Sequence, residues 1–171
     1  EELNQDALAT YRRIGDQVGV ANVYNNLGVA YKNACQWDKA VRALTQARDL
    51  CEKLGLTRKL ARTLNNLGIV YTKTREFDEA VTHLRRARRL VQQLGDTATL
   101  VSVLNSMGRA LVQAGRYSQA EKYLLQARVL AEKHHLARSQ ALADEFLGDM
   151  MLEQGRFDEA RENYESGLRK A

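Results

Sequence analysis

Apolar and small residues alternate with polar ones in a pattern that recurs every 40 residues. In the segment 57–74, apolar side chains return every three or four residues, which is the spacing of one face of an α-helix. A short turn at 75–76 separates this stripe from a second stripe of the same spacing over 77–94. The pattern therefore predicts two helices joined by a turn, repeated along the chain.

The repeats remain in register along the chain. The matching positions are Leu27, Leu67, Met107 and Leu147; Gly28, Gly68, Gly108 and Gly148; Trp37, Phe77, Tyr117 and Phe157; and Ala40, Ala80, Ala120 and Ala160. A fixed period of this size marks an array of stacked units, and the absence of proline among 171 residues favours uninterrupted helices. We predict an all-α solenoid of nine helices in antiparallel pairs. Residues 1–16 form the second helix of a truncated repeat, and four repeats follow at 17–56, 57–96, 97–136 and 137–171.

Glycines and short polar side chains mark the predicted helix ends. Gly15, Gly55 and Gly95 follow second helices, where glycine commonly ends a helix, and His135 takes that place in the third repeat. We expect Asp96 to cap the next helix. We also expect residues near the start of each second helix to accept free backbone N–H groups: Asp38, Asp78, Ser118 and Asp158. The glycines inside the first helices predict a close approach of the paired helix through the alanine twelve residues later.

The spacing within each unit resembles the tetratricopeptide repeat. The residues that carry the resemblance in the first repeat are Leu27, Gly28, Tyr31, Trp37, Ala40, Leu44 and Ala47. The units are 40 residues long and lack the usual proline, as in Pins-type adaptors, kinesin light chains and bacterial signalling regulators. The resemblance implies a right-handed superhelix whose first helices line a concave groove for a protein or peptide partner. We expect a module of a larger cytoplasmic signalling or regulatory protein.

Two columns of residues are predicted to face that groove. The first contains Asn25, Asn65, Asn105 and Glu145, and the second contains Asn26, Asn66, Ser106 and Phe146. An asparagine amide offers both donors and an acceptor, so a row of them can hold the main chain of an extended peptide. The alternative is that these amides bond to neighbouring helices or to water. Val29 and Ile69 stand where the family's carboxylate clamp has asparagine, so we do not expect such a clamp.

Charge is predicted to be unevenly distributed along the groove. The basic residues Lys32, Arg62, Lys73 and Arg109 belong to the first three repeats, and the acidic residues Glu145, Asp149 and Glu153 belong to the fourth. These positions predict a ligand with acidic residues toward the first three repeats and a basic residue toward the fourth. The alternative for these charges is a solvated face.

Two other modes of interaction stay open. The solenoid ends are predicted to expose apolar surface, which allows self-association. The cluster Arg85, Arg86, Arg88 and Arg89 is the densest basic run, and it allows nucleic-acid binding. Because no aromatic residues are interleaved with it, a solvated convex face is favoured.

The sequence gives no support for a catalytic or metal-binding site. His83, His134 and His135 lack carboxylate or cysteine partners at the spacing of a metal site or a catalytic triad. Cys35 and Cys51 are predicted to be reduced, with Cys35 in a turn and Cys51 in the core. The net charge of +5 is mild, and no apolar run is long enough to cross a bilayer. We therefore expect neither an enzyme, nor a cofactor, nor membrane insertion.

Overall fold

The computed structural model describes the backbone of residues 2–170 and the side chains of residues 6–170. All regular structure in that part of the chain is helical, as predicted. The nine helices described are α1 Glu2–Arg13, α2 Gln17–Asn33, α3 Trp37–Lys53, α4 Thr57–Lys73, α5 Phe77–Gln93, α6 Thr97–Gln113, α7 Tyr117–Lys133, α8 Ala137–Glu153 and α9 Phe157–Leu168. None of these helices is long and apolar enough to cross a membrane.

Every turn between helices has one residue in the left-handed conformation. These residues are Gly15, Cys35, Gly55, Arg75, Gly95, Gly115, His135 and Gly155, with φ between 54° and 74°. At the end of α3, Gly55 N donates to the Glu52 carbonyl at 3.2 Å and Leu56 N donates to the Cys51 carbonyl at 2.9 Å. This pair of bonds is the Schellman motif, which satisfies carbonyls that the ending helix leaves free. The same turn therefore recurs wherever glycine or a tolerated substitute allows a positive φ.

The helix N-termini differ in how they are capped. Asp96 caps α6 as predicted, because its carboxylate accepts from Thr99 N at 3.1 Å, and Asp16 caps α2 in the same way. The prediction that Asp38, Asp78, Ser118 and Asp158 accept free N–H groups is wrong. The N-cap positions lie two residues earlier, and no side chain caps α3, α5, α7 or α9. Asp78 instead accepts from Arg116 at 2.8 Å.

The glycines inside the first helices do allow a close helix approach, but through a different partner. A Cβ on Gly28 would lie 2.4 Å from the Cγ atom of Leu44, and Gly68, Gly108 and Gly148 face the residues that correspond to Leu44 in their own repeats. The predicted partner, the alanine at position 40 and its equivalents, is buried in the same core clusters, but the atoms nearest to the glycine belong to the large residue. The glycine is therefore required because a large side chain, not a small one, crosses the first helix there.

The stacking of the pairs explains the curvature. Each first helix packs on its own second helix and also contacts the first helices of neighbouring repeats, so α2, α4, α6 and α8 touch in series. Among the described residues, α3, α5, α7 and α9 make no such contacts with one another. The second helices are therefore spread on the outer side, and the first helices line the inner side of the curve.

Candidate functional site

The inner surface carries an open cavity of about 760 Å³ between α2, α4 and α6. Its polar lining comes chiefly from five asparagines: Asn25, Asn26, Asn33, Asn65 and Asn66. Lys32 and Arg62 also line it, together with the small side chains of Ala98, Thr99 and Ser102, whereas none of the acidic side chains that the structure describes does. The cavity therefore offers amide groups and positive charge to whatever occupies it.

Two asparagines of the first predicted column, Asn25 and Asn105, form hydrogen bonds to the next repeat. Asn25 Oδ1 accepts from Thr63 Oγ1 at 3.1 Å and from Asn66 Nδ2 at 3.3 Å. Asn105 is only 1% exposed and donates from Nδ2 to the Ser139 carbonyl at 2.9 Å. The prediction that Asn105 faces the channel and solvent is therefore wrong. For this residue the alternative, an amide bonded to a neighbouring helix, is confirmed.

The second column changes character along the groove. Asn26 is exposed and Asn66 half-buried, and both line the main cavity. Ser106 donates to the Ser102 carbonyl at 3.0 Å within its own helix. Phe146 is the fourth member, and it is 5% exposed against the last two repeats. The column therefore changes from polar side chains to a buried aromatic one between α4 and α8.

The four predicted groove cations lie along the inner surface. Lys32 and Arg62 line the main cavity, and Lys73 and Arg109 line a smaller hollow of about 120 Å³ between α4, α6 and α8. Burial lowers the pKa of Lys32. Within the part of the chain that the structure describes, none of the four forms an ion pair with a carboxylate. Their charges are therefore available to a ligand.

Two of the three predicted groove acids lie together at the far end. Asp149 and Glu153 line a hollow of about 130 Å³ between α6 and α8, which Phe146 and Arg109 also line. Tyr164 donates its hydroxyl proton to Asp149 Oδ1 at 2.7 Å, and Tyr117 donates to Glu153 Oε2 at 3.0 Å. Burial and the bond to Asp149 raise the pKa of Tyr164 to about 12, so this phenol stays protonated as a donor.

Glu145 is the third predicted groove acid, and its place at the far end of the channel stays a prediction. It lines a separate cleft of about 280 Å³ between α8 and α9, with Ala141, Tyr164 and Leu168. Residue 145 is the counterpart of Asn25 and Asn65, which line the main cavity, and of Asn105, which is buried and bonds to the adjoining repeat.

One polar cluster was missed by sequence reasoning. Asp144 is completely buried, and its Oδ2 atom accepts from Lys170 Nζ at 2.7 Å and from Ser166 Oγ at 3.0 Å. Arg128 lies 3.6 Å from its other carboxylate oxygen. The 40-residue alignment carries the signal, because Asp144 and Lys170 stand where the third repeat has Leu104 and Leu130.

The arginine cluster on α5 divides into two kinds of residue. Arg86 bonds to Glu52 at 2.5 Å, and the Arg88 guanidinium lies 5.5 Å from the centre of the Tyr123 ring. Arg85 and Arg89 are exposed. Two of the four side chains are thus engaged in contacts between helices.

The remaining candidate groups show no clustering. Cys35 is an exposed thiol in a turn and Cys51 is buried, both as predicted, and burial raises the pKa of Cys51. His83 stacks on Tyr71 with ring centroids 5.4 Å apart. No group of three or more His, Cys, Asp or Glu side chains in the described residues is placed to hold a metal ion.

Comparison with known proteins bears on the fold and the family. Two tetratricopeptide repeat models match the chain, one over residues 1–53 and 59–133 and the other over residues 105–171. No curated protein sequence matches it significantly. Among solved structures, BtubC (BKLC) from P. vanneervenii is similar with a TM-score of 0.85 at 21% identity, and the match covers 98% of this chain and 70% of that one.

Two further structures share the fold over part of their length. Aspartyl phosphate phosphatase F from Bacillus subtilis matches with a TM-score of 0.87 at 15% identity, covering 99% of this chain and 44% of that one. A Rap protein complexed with competence and sporulation factor matches with a TM-score of 0.75 at 24% identity, covering 91% and 41%. At these identities the likeness shows the fold alone, but the family models account for nearly the whole sequence. The chain therefore belongs to the tetratricopeptide repeat family.

Proposed function

We propose that the inner groove binds an extended or partly helical segment of a partner protein, and that the chain works as an interaction scaffold in a larger signalling or regulatory protein. The observation that carries the proposal is the cavity of about 760 Å³, lined by asparagine amides and by cations without ion-pair partners among the described residues. A surface of this kind suits recognition of a peptide main chain and acidic side chains.

The roles of the groove residues differ. The exposed amide of Asn26 and the half-buried amide of Asn66 can each bond to the main chain of a ligand, which lacks partners of its own in an extended conformation. Lys32 and Arg62 attract acidic side chains, and Arg62 can hold a carboxylate with two parallel bonds. Asn25 and Asn105 form hydrogen bonds to neighbouring repeats, and Asn65 lies in the cavity wall. The Rap complex with competence and sporulation factor supports a ligand-binding role for this fold.

The test uses peptides selected from a library for binding to the protein. A displayed library of linear peptides of about twelve residues is selected against the protein, and the dissociation constant of each enriched peptide is measured by fluorescence anisotropy. We expect Arg62→Gln to weaken binding of acidic peptides about tenfold, the value of one charge-assisted hydrogen bond. Arg89→Gln is the matched control, since Arg89 is exposed on α5 outside the groove. Equal effects of the two substitutions on the dissociation constant would show that the peptides bind outside the groove.

Self-association is the second candidate. Leu168 is 79% exposed beside the α8–α9 cleft, which also contains Tyr164 and Ala141. A second copy could cover this apolar surface. A molar mass that rises with concentration in sedimentation equilibrium, and falls back to the monomer value for Leu168→Ser, would favour this candidate. A constant monomer mass would exclude it.

A further inference from the structure

We propose that the groove around Phe146 is an anchoring subsite for an apolar side chain of the ligand, next to a lysine or arginine of the same ligand. This inference rests on the proposed function and adds to it the chemistry of the far half of the ligand. It assigns a role to the one place where the polar column of the groove becomes aromatic.

The subsite begins as a hollow of about 120 Å³ whose lining is part apolar and part polar. Ile69, Leu142 and the Phe146 ring form the apolar part, on which Leu142 remains 38% exposed, and Thr72, Lys73, Ser106 and Arg109 line the rest. The hollow has space for part of one side chain, and burial of an apolar group against the apolar part is favourable. The preceding members of the Phe146 column are Asn26, Asn66 and Ser106, so an apolar floor is available only at this end of the column.

Arg109 separates this hollow from the acids. Its guanidinium carbon lies 5.3 Å from the centre of the Phe146 ring, within the range of a cation–π contact. Arg109 lines both neighbouring hollows, and it forms no ion pair with Asp149 or Glu153. The ring thus holds this cation in place, and the two carboxylates are left without a positive partner in the described part of the chain.

The acids are held ready for an external cation. Tyr164 and Tyr117 each donate one hydrogen bond, to Asp149 and Glu153 respectively. Each carboxylate keeps further acceptor positions, because two oxygens offer about four lone-pair directions. Asp149 and Glu153 are also one helical turn apart on α8, so both face the same hollow. Pairing with a ligand lysine or arginine would satisfy these acceptors with charge-assisted bonds.

Charge complementarity selects the occupant. Among the described residues, the main cavity is lined by two cations and no acid, whereas the far hollow is lined by two acids and one cation, Arg109, which the Phe146 ring contacts. A ligand that follows the groove therefore carries acidic residues over α2 and α4, then an apolar residue at Phe146, then a basic residue at Asp149 and Glu153. This order of ligand residues is given along the groove, and the ligand's main chain can run in either direction.

The experiment repeats the library selection with four variants in two matched pairs. Leu142→Ser is paired with Leu125→Ser, because Leu125 is 37% exposed on α7 outside the groove. Glu153→Gln is paired with Glu162→Gln, an exposed carboxylate on α9. Each variant is first checked for the helical signal and thermal midpoint of the wild type. Enriched peptides are then measured with their apolar residue changed to alanine, or their basic residue changed to glutamine.

We expect the wild type to enrich peptides with an apolar residue next to a basic one, in addition to acidic residues. Changing the peptide's basic residue should weaken binding to the wild type about tenfold and binding to Glu153→Gln far less. The apolar change should lose its effect with Leu142→Ser but keep it with Leu125→Ser. Enrichment of acidic residues alone, sensitive to Arg62→Gln, would overturn this inference and leave the proposed function intact. Peptides that are insensitive to every groove variant would overturn both.

Discussion

Leu84 lies directly against the backbone of Gly68, so that a Cβ atom on residue 68 would come within 2.4 Å of the Leu84 Cγ atom. Leu84 is fully buried, and the clash involves its branch point and not only a flexible end. We expect Gly68→Ala to lower the free energy of unfolding by up to about 2 kcal/mol. The overpacking cost of about 1–3 kcal/mol exceeds the helix propensity gain of about 1 kcal/mol. Urea denaturation measures the difference.

A double-mutant cycle identifies the cause. Combined with Leu84→Ala, the same Gly68→Ala substitution has room for its methyl group and should no longer destabilise. If Gly68→Ala alone raised the stability by the propensity gain, the close approach at this glycine would not exist.

The left-handed turn residues provide a second prediction. His135 has a φ of 54° and is exposed, at a place where five other turns have glycine. A non-glycine residue in this conformation costs about 1–2 kcal/mol of stability. Replacing it by glycine removes this cost, but the greater freedom of glycine in the unfolded chain offsets about 0.4–1 kcal/mol of the gain. His135→Gly should therefore stabilise the protein by up to about 1.5 kcal/mol, read from the denaturation midpoint. Gly55→Ala should have the opposite sign, and a shared sign would contradict the turn argument.

The ion pair between the buried Asp144 and the partly exposed Lys170 should be sensitive to loss of one partner. Lys170→Met leaves the Asp144 carboxylate buried with Ser166 and the more distant Arg128. We expect a loss of about 3 kcal/mol, since removing one partner of a buried pair leaves an uncompensated charge. Replacing both by leucine restores the pair found at 104 and 130, which packs within one apolar cluster. The double variant should match or exceed the wild type in thermal unfolding, and a loss equal to that of Lys170→Met would refute this account.

The two kinds of asparagine should behave differently. Asn105→Ala removes the bond to the Ser139 carbonyl inside the protein and should cost about 1–3 kcal/mol of stability. Asn26→Ala changes an exposed amide and should alter stability by less than about 0.5 kcal/mol. Chemical denaturation of both variants, followed by peptide binding, separates the structural amide from the groove amide. Equal stability losses would contradict the assignment.

Stability should fall in mild acid partly through His83. Burial lowers the pKa of His83, and the neighbouring Arg48 and Arg86 lower it further. The unfolded state therefore binds a proton at His83 more readily than the folded state does. The contribution of neutral His83 to the free energy of unfolding is present above about pH 6.5 and is lost as the pH falls toward the lowered pKa of the folded state. His83→Phe keeps an aromatic ring for stacking on Tyr71 and removes the titration. Its denaturation midpoint should depend less on pH below about 6.5 than that of the wild type. An identical pH dependence would exclude this role.

The sequence by itself determined the helices, their turns and the family. Apolar spacing within each helix and a turn residue every 20 positions are local signals, and repetition reinforces them at each unit. The positions of Lys32, Arg62, Lys73 and Arg109 could also be predicted, because each lies on the inner face of a helix whose phase the repeat defines.

Only the tertiary structure decided what surrounds each of those faces. Asn105 and Glu145 share a repeat position, yet Asn105 is buried and bonds to Ser139, whereas Glu145 lies in a cleft. The local sequence pattern does not predict this difference, because it depends on contacts between residues 34 positions apart. Leu84 opposes Gly68 through the way two helices cross, and the buried Asp144 finds its partners in Ser166 on α9 and in Lys170 just after that helix. A helical period assigns a residue to a face; packing between helices decides whether that face meets solvent, a neighbour or a ligand.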